Sequence, residues 1–438
     1  MNPLLSHWTS YQERLEMIPP FRQDGKVTRI VGLVVEASLT TGSIGDLCEI
    51  QTPLGNRILA EIGGFNQENV ILMPLQETVG LSIGSRVRKS TRPLSVPVGP
   101  ELLGRVIDGL GNPIDGKGPL RTEKTAPVHN HPPNPLQRQR IRHILTTGIR
   151  AIDGLVTIGK GQRVGIFAGS GVGKSVLLGM MAKYTNADVN VIALIGERGR
   201  EVRDFLERDL GPEGLKRSVV VVATSDQAPM VRVKGALLAT TIAESFRSEH
   251  RDVLLLMDSL TRVAMAQREI GLAMGEPPTT KGYTPSVFAL LPRLLERAGT
   301  DANGSISGLY TVLVEGDDLD EPVSDAARAI LDGHIVLSRK IAQRGHYPAI
   351  DVLGSVSRLR TEIAPQDLLR RSSRFLELLA GYREAEDLIN IGAYTKGSNP
   401  VVDEAIQRKA AIDAFLKQDM NEAASLEDTM ERLEKVLK

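Results

Sequence analysis

The feature that most constrains the fold is an apolar strand, a glycine-rich loop and a helix in direct succession. The stretch QRVGIF predicts the strand, AGSGVGKS the loop and VLLGMMAKY the helix, which together span residues 162–184. A loop that turns from a strand directly into a helix begins a βαβ unit, and such units build parallel sheets. We therefore expect an α/β domain with this loop at the carboxyl edge of its sheet.

The loop has the composition of a phosphate-binding site. Its glycines lack a Cβ, so backbone N–H groups can approach phosphate oxygens, and the following helix N-terminus adds partial positive charge. In such loops the lysine reaches the β- and γ-phosphates and the hydroxyl residue after it binds Mg²⁺. Ser175 is thus the predicted Mg²⁺ ligand. The predicted nucleotide contacts are Ala168, Gly169, Ser170, Gly171, Val172, Gly173, Lys174, Ser175 and Val176.

Ala168 departs from the pattern G-x-x-x-x-G-K-[ST], which has glycine at that position. The position closes the strand, and alanine has a small Cβ, so its cost depends on whether the residue needs a positive φ. We expect that it does not. The alternative interpretation is a glycine-rich turn that binds no ligand, and the strand before it and the helix after it argue against that alternative.

Two acidic residues follow other apolar strands. Glu197 comes after VNVIALIG, and Asp258 ends VLLLMD. Because the carboxyl ends of parallel strands share one edge, both side chains should lie near the loop. Asp258 would then help to hold Mg²⁺, and Glu197 would orient and polarise the attacking water. The alternatives are an ordinary strand-end aspartate and an ion pair of Glu197 with Arg198 or Arg200.

The rest of the sequence divides the chain into parts with different patterns. Residues 1–20 predict an amphipathic helix that docks either on the next domain or on a partner. Short β-branched runs between turns predict a small barrel over 21–95, and the proline- and glycine-rich stretch 93–135 is typical of an irregular connector. Alternating strands and helices predict a P-loop domain over 96–364, whereas 365–438 is expected to be helical.

Composition limits the classes of partner. The 438 residues carry 53 basic and 53 acidic side chains, a balance that argues against bulk binding of nucleic acid. Phe65 is the single aromatic residue of 24–92, so aromatic stacking platforms for RNA are lacking. Cys48 is the one cysteine, which fits a reducing compartment. Without a signal-peptide pattern or a membrane-length apolar run, we expect a cytoplasmic protein.

Several longer segments resemble the hexameric ATPases related to the α and β subunits of rotary ATP synthases. PAIDVLGSVS is similar to their signature segment, and VPVGPELLGRVIDGLGNPID to their connector into the catalytic domain. Within this family, LIGERGREVRDFLERDLG and MDSLTRVAMAQREIGLAMGEPPTTKGYTPSVFALLPRLLERAG most resemble the flagellar protein-export ATPases, and next the virulence type III secretion ATPases. The resemblance covers nearly the whole chain and implies an N-terminal β-barrel, a RecA-like P-loop ATPase domain with a mostly parallel sheet, and a helical C-terminal domain.

The resemblance also implies roles for individual residues. Lys174 and Ser175 match the residues that bind phosphate and Mg²⁺. Glu197 matches the catalytic glutamate, Arg198 the neighbouring arginine near the γ-phosphate, and Asp258 the Mg²⁺-associated aspartate. The implied cofactors are ATP and Mg²⁺.

Other matches concern the neighbouring subunit, the base and the central channel. Arg358 matches the arginine finger that enters the site of the next subunit, which implies a ring of six identical chains; a structural salt bridge of Arg358 is the alternative. Tyr347 matches the aromatic residue that stacks on adenine, and Tyr382 is the candidate for a second aromatic from the helical domain. Residues 275–288, GEPPTTKGYTPSVF, are similar to the channel-lining segment; an ordinary surface loop is the alternative.

The function implied by the resemblance is an ATP-hydrolysing motor of the flagellar export apparatus, peripheral to the inner membrane. It would release and unfold cargo from chaperone–cargo complexes, and its other expected partners are regulatory and stalk-like proteins and the membrane proteins of the export gate. A virulence secretion ATPase is the first alternative. A ring-shaped RNA helicase and a non-catalytic subunit of a rotary synthase are the others, and no specific nucleic acid is expected to bind.

Overall fold

The chain folds into two compact units, one ending at Leu94 and the other beginning at Ser95. The computed structural model describes residues 24–90, 93–314 and 321–438. Each unit has its own hydrophobic core. The amphipathic helix predicted over residues 1–20 lies outside the described residues.

The first unit is a closed β-barrel with the spatial strand order β1-β2-β5-β4-β3-β6. Its short strands alternate inward and outward side chains, as β3 shows with Cys48 and Ile50 fully buried. The predicted barrel is therefore confirmed. Its strands are β1 (Asp24–Val31), β2 (Val34–Ser38), β3 (Leu47–Gln51), β4 (Arg57–Asn66), β5 (Asn69–Pro74) and β6 (Arg86–Lys89).

The second unit is built on a mostly parallel sheet with the order β19-β18-β12-β17-β15-β13-β14-β8. Strands β13 and β14 are buried along their whole length, which explains their unbroken apolar sequences. The strands are β7 (Ser95–Val98), β8 (Val106–Asp108), β9 (Lys124–Pro127), β10 (Ile144–Leu145), β11 (Ile158–Gly159), β12 (Arg163–Ala168), β13 (Val189–Ile195), β14 (Ser218–Ala223), β15 (Asp252–Asp258), β16 (Gly299–Thr300), β17 (Ser305–Leu313), β18 (Gly333–Leu337) and β19 (Ile350–Ser357).

The stretch 93–135 is more ordered than its composition indicates, so the expectation of an irregular connector was wrong in part. Strand β8 lies beside β14 at the edge of the main sheet, with Val106 opposite Val220. Strands β7 and β9 form a separate antiparallel ribbon. The prolines and glycines of this stretch stand mostly between these short strands, and the exposed edge of β14 supplies hydrogen-bonding groups that β8 satisfies.

Helices cover the sheet and form the C-terminal part of the second unit. Phe375 and Phe415, from two of the C-terminal helices, pack with their ring planes inclined by 54° and their centroids 5.1 Å apart. The helices are α1 (Lys174–Tyr184), α2 (Gly199–Asp204), α3 (Gly211–Lys216), α4 (Pro229–Ser248), α5 (Leu260–Ala273), α6 (Pro285–Leu295), α7 (Pro322–Ile330), α8 (Arg339–Gln343), α9 (Arg360–Ile363), α10 (Gln366–Asn390), α11 (Pro400–Leu416) and α12 (Leu426–Leu437). Shorter turns are the 3₁₀ segments Pro100–Leu102, Pro135–Gln137 and Thr280–Gly282 and the π-helical segments Ile152–Val156 and Phe205–Leu210.

The predicted fold class is thus confirmed: a barrel, a P-loop domain with a mostly parallel sheet, and a helical C-terminal part. None of the helices in the described ranges has both the length and the apolar character needed to cross a membrane.

The direction of the strands determines which residues can meet. Strands β12, β17, β15 and β13 are adjacent and parallel, so their carboxyl ends lie along one edge of the sheet. Strand β18 continues this arrangement, but β19 runs antiparallel to it. The end of β19 therefore lies at the opposite edge, where Ser357 faces Gly333 at the start of β18.

Candidate functional site

The phosphate loop joins the last residue of β12 to the first residue of α1. Gly171 and Gly173 have φ values of 78° and 85°, a left-handed conformation that glycine adopts without strain. Ala168 instead pairs as ordinary extended strand with Leu313 on one side and Leu337 on the other. Alanine at this position therefore costs nothing, because the chain turns only after it.

Lys174 lies between two carboxylates at the edge of the sheet. Its Nζ is 2.5 Å from Asp258 Oδ1 and 3.5 Å from Glu197 Oε1. Burial disfavours the charged ammonium, but the two carboxylates outweigh burial and hold the pKa of Lys174 above its usual value. The two carboxylates thus neutralise the charge that Lys174 would offer to phosphate.

Asp258 ends β15 and is almost completely buried. Thr311 donates a hydrogen bond of 2.7 Å to Oδ1, the same oxygen that Lys174 contacts. The other oxygen, Oδ2, therefore remains available for a Mg²⁺-bound water. Ser175 is the second residue of α1, beside Lys174 in the loop.

The donor set fits Mg²⁺ in a phosphate site. Within the described ranges, no cluster of three or more His, Cys, Asp or Glu side chains could hold a metal ion by itself. Mg²⁺ in nucleotide sites typically takes one or two protein oxygens and completes its shell with phosphate and water. A serine hydroxyl and one carboxylate match that requirement.

Glu197 follows β13 and faces Lys174 rather than its neighbouring arginines. Burial, together with Asp258 and Glu201, raises the pKa of Glu197 to about 7, although Lys174 opposes the increase. Arg198 pairs with Glu201 at 3.7 Å, and Arg200 pairs with Asp204 at 3.6 Å. The alternative ion pair of Glu197 with either arginine is therefore not formed. A carboxyl that titrates near neutral pH suits a water-activating group.

Two residues near the loop were missed by sequence reasoning. The carboxylate of Glu201, in the first turn of α2, accepts a hydrogen bond from the protonated Glu197 carboxyl. Arg262 lies near the start of α5, and its buried Nε has no hydrogen-bond partner among the described residues. Arg262 lines a cavity of about 500 Å³ together with Ala168 and Ser170. The sequence feature that could have identified Arg262 is its position, four residues after the predicted Mg²⁺-associated Asp258.

Tyr347 lies beside the loop, and Tyr382 does not. A Cβ on Gly173 would come within 3.4 Å of the Tyr347 ring. The Tyr347 carbonyl accepts a hydrogen bond of 3.1 Å from the backbone N–H of Gln418. Tyr382 lines a separate cavity of about 200 Å³, where the Lys409 ammonium lies 4.9 Å from its ring centroid. Gln418 thus contacts Tyr347 directly, whereas Tyr382 shares its cavity with His346 and Lys417, the chain neighbours of these two residues.

Arg358 lies at the other edge of the sheet. Its backbone N–H donates a hydrogen bond to the backbone carbonyl of Asp332. The Asp332 carboxylate forms a bidentate ion pair with Arg163 at the start of β12. The Arg358 side chain is exposed and donates to the carbonyl of Arg328 at 3.2 Å. Among the residues that the structure describes, no carboxylate pairs with it. The alternative of a structural salt bridge is therefore not formed within residues 24–90, 93–314 and 321–438.

Comparisons with known proteins agree with this arrangement. Residues 148–357 match the model of the ATP synthase alpha/beta family, nucleotide-binding domain. Residues 27–90 match the beta-barrel domain of the same family, and 364–435 match the T3SS EscN ATPase C-terminal domain. A flagellum-specific ATP synthase of Bacillus subtilis is 54% identical over 96% of both chains. The chain belongs to this family.

Other relatives place it among the ATPases of flagella and of type III secretion. The flagellum-specific ATP synthase of Salmonella typhimurium is 50% identical over 99% of both chains. The type 3 secretion system ATPase of Xanthomonas euvesicatoria is also 50% identical, over 99% of this chain and 98% of its own. The assembled ATPase EscN from enteropathogenic E. coli superposes with a TM-score of 0.89 and 44% identity, covering 94% of this chain and 100% of EscN. The protein is an ATPase of this group.

Proposed function

We propose that this protein hydrolyses Mg²⁺-bound ATP to promote export of flagellar proteins. The observation that carries the catalytic part is the convergence of Lys174, Glu197 and Asp258 at the carboxyl edge of the sheet. The similarity to flagellum-specific ATP synthases favours the flagellar system. A virulence secretion ATPase is the second candidate, because type 3 secretion system ATPases are nearly as similar.

Each residue of the site has a proposed task. Lys174 leaves its two carboxylates to bind the β- and γ-phosphates, together with the backbone N–H groups of the loop. Glu197, freed from Lys174, then orients the attacking water and accepts its proton. Arg262 and Arg198 supply positive charge to the γ-phosphate, Arg262 from inside the cavity and Arg198 from an exposed position.

The metal and the base have their own proposed contacts. Ser175 and Asp258 would hold Mg²⁺, Asp258 through water, and the ion would supply positive charge that neutralises the β- and γ-phosphates. Tyr347 stacks on the adenine, because its ring lies over Gly173 at the end of the loop. We no longer assign this contact to Tyr382.

Arg358 is proposed to act in the site of a neighbouring subunit. The strand β12 separates it from its own loop, and six residues of strand span about 20 Å. An arginine supplied in trans can contribute about 10³–10⁵ in rate, so an isolated chain would lack a catalytic part. We therefore propose a homohexameric ring with one site at each interface, as the assembled form of EscN supports.

The cellular setting is part of the same proposal. EscN has been solved in complex with its central stalk EscO, which supports a stalk-like partner here. Regulatory proteins, export-gate membrane proteins and chaperone–cargo complexes complete the proposed partners, at the cytoplasmic side of the inner membrane. The domain limits that we propose are 21–95, 96–364 and 365–438, after an N-terminal helix over 1–20.

Phosphate release by purified protein tests the catalytic part of the proposal. Glu197→Gln should bind ATP normally and lose turnover by about 10²–10⁴-fold, because general base catalysis contributes that much. Arg358→Ala should lose turnover as well, and adding it to wild-type protein before assembly should lower the activity of wild-type neighbours. Unchanged hydrolysis by Glu197→Gln would contradict the assignment.

A second experiment separates the flagellar from the virulence function. The gene should restore motility to cells that lack their flagellar export ATPase. Restoration of effector secretion in a virulence system, without restoration of motility, would favour the second candidate.

A further inference from the structure

Helix α7 connects the two edges of the sheet that carry the two halves of the catalytic machinery. It follows β17 and precedes β18, and its first residue, Pro322, comes after Glu321, which lies at the carboxyl edge beside the loop. Its last turn, at Arg328, lies at the amino edge beside Arg358. Nine helical residues span about 13 Å, so α7 is a short rod between the two edges.

The first end of α7 is tied to the nucleotide side. Glu321, the residue before the helix, forms an ion pair of 3.3 Å with Lys281. Both side chains line the cavity of about 500 Å³ that also contains Ser170 of the phosphate loop and Arg262. Lys281 has a φ of 52°, a conformation that is uncommon for a residue with a side chain.

The other end of α7 holds Arg358. The Arg328 carbonyl belongs to the last helical turn, where carbonyl oxygens lack partners within the helix. It accepts a hydrogen bond from the Arg358 guanidinium, and the negative end of the helix dipole favours a cation there. His334 and Asp325 complete a cavity of about 360 Å³ around this arginine. The position of Arg358 thus depends on the position of α7.

Packing makes α7 move as one body. Val323, Ser324 and Ala327 are fully buried, and the helix packs on α6, β17 and β12. A change at Glu321 is therefore transmitted along the helix rather than absorbed within it, because a close-packed helix shifts as a unit.

We propose that Lys281 and Glu321 are positioning residues for Arg358, acting through α7. The state of the cavity beside one subunit's phosphate loop would then set the arginine that this subunit presents to its neighbour. This inference rests on the proposed function, in which Arg358 acts in trans. It adds a physical link by which consecutive sites of a ring influence one another.

Loss of the ion pair should change turnover without unfolding the protein. Lys281 is half exposed, and surface ion pairs contribute little to folding. Lys281→Met and Glu321→Gln should each lower kcat about tenfold with a KM for ATP within about twofold of wild type, since small displacements of a catalytic group cost up to about 10²-fold. The exchanged pair Lys281→Glu with Glu321→Lys should restore kcat. Lys216→Met, which removes another surface ion pair, is the matched control and should leave kcat unchanged.

Mixed rings decide whether Lys281 acts on its own site or on the next one. Subunits with Lys281→Met are mixed with an equal amount of Lys174→Ala subunits before assembly. Lys174→Ala destroys its own site but keeps α7 and Arg358 intact, so it can offer a well-placed arginine to a Lys281→Met neighbour. The mixture should therefore be more active than the average of the two pure proteins.

A second mixture, of Arg358→Ala with Lys174→Ala, distinguishes the positioning role of Lys281 from the trans role of Arg358. If that mixture gains activity and the Lys281 mixture does not, the positioning role is overturned while the trans arginine stands. If neither mixture gains activity, the trans assignment itself fails. In the Arg358→Ala background, Lys281→Met should cause no further loss of kcat; a further tenfold loss would also overturn the positioning role.

Discussion

Replacing Glu201 by glutamine should shift the acid limb of the pH–activity profile to lower pH. The carboxylate of Glu201 accepts a hydrogen bond from the protonated Glu197 carboxyl, which helps burial to raise the pKa of Glu197 to about 7. Glutamine at position 201 would keep an acceptor oxygen but lose the charge. The protonated form of Glu197 would then be less favoured, so its pKa would decrease.

The size of the shift follows from the strength of the bond that is lost. A hydrogen bond to a charged group contributes about 1 kcal/mol more than a neutral one, which corresponds to a pKa change of roughly 0.7. Glu201 is half exposed, and solvent screening reduces this to about 0.5. The ionised fraction of Glu197 would increase about threefold near pH 6 and hardly change near pH 8.

Steady-state phosphate release across this pH range measures the shift as kcat/KM, which reports the free enzyme. Glu207→Gln is the matched control, because Glu207 is also acidic and half exposed but pairs with Arg203 away from the site. Its profile should coincide with that of wild type. An acid limb that stays in place, or moves to higher pH, in Glu201→Gln would refute the assignment of Glu197 as the titrating group.

Three other changes probe the base contact and the two cores. Tyr347→Ala should weaken ATP binding about tenfold but leave tripolyphosphate binding unchanged, as calorimetry would show, because stacking on a base contributes about 1–3 kcal/mol. Arg297→Met should lower the free energy of unfolding of the second unit in urea by about 3–5 kcal/mol, since it leaves buried Glu244 unpaired. Leu72→Ala, in the barrel core, should cost about 2–5 kcal/mol in the same assay.

Apolar periodicity predicted most of the fold because these strands are buried on both faces. The predicted strand VLLLMD lies in β15, and the similar apolar run VVVVA forms most of β14. The same reasoning missed β8, a three-residue strand whose pairing is made by backbone groups and leaves little trace in side-chain pattern. It also could not show that the packing of α10 and α11 places Tyr382 in a different cavity from the one beside the phosphate loop.

The sequence predicted those site residues that lie at the carboxyl ends of parallel strands. Glu197 and Asp258 follow parallel strands next to β12, so sequence order alone placed them beside Lys174. Arg262 and Glu201 lie inside helices and depend on the direction in which each helix leaves its strand. Tertiary packing determines that direction, so a local sequence pattern does not predict it.

The antiparallel direction of β19 places Tyr347 and Arg358 at opposite edges of the sheet. β19 begins at Ile350, three residues after Tyr347, and its first residue faces Leu337 at the loop edge. It ends at Ser357 on the opposite edge, opposite Gly333, and the five residues of β18 between these two pairings span about 16 Å. Tyr347 therefore lies beside the loop of its own chain, whereas Arg358, eleven residues later, lies at the opposite edge, as its proposed role in a neighbouring subunit requires. Had β19 run parallel to β18, Arg358 would lie at the same edge of the sheet as the loop of its own chain, and no neighbouring subunit would be needed. The antiparallel direction of this one strand is therefore the structural reason to propose a ring.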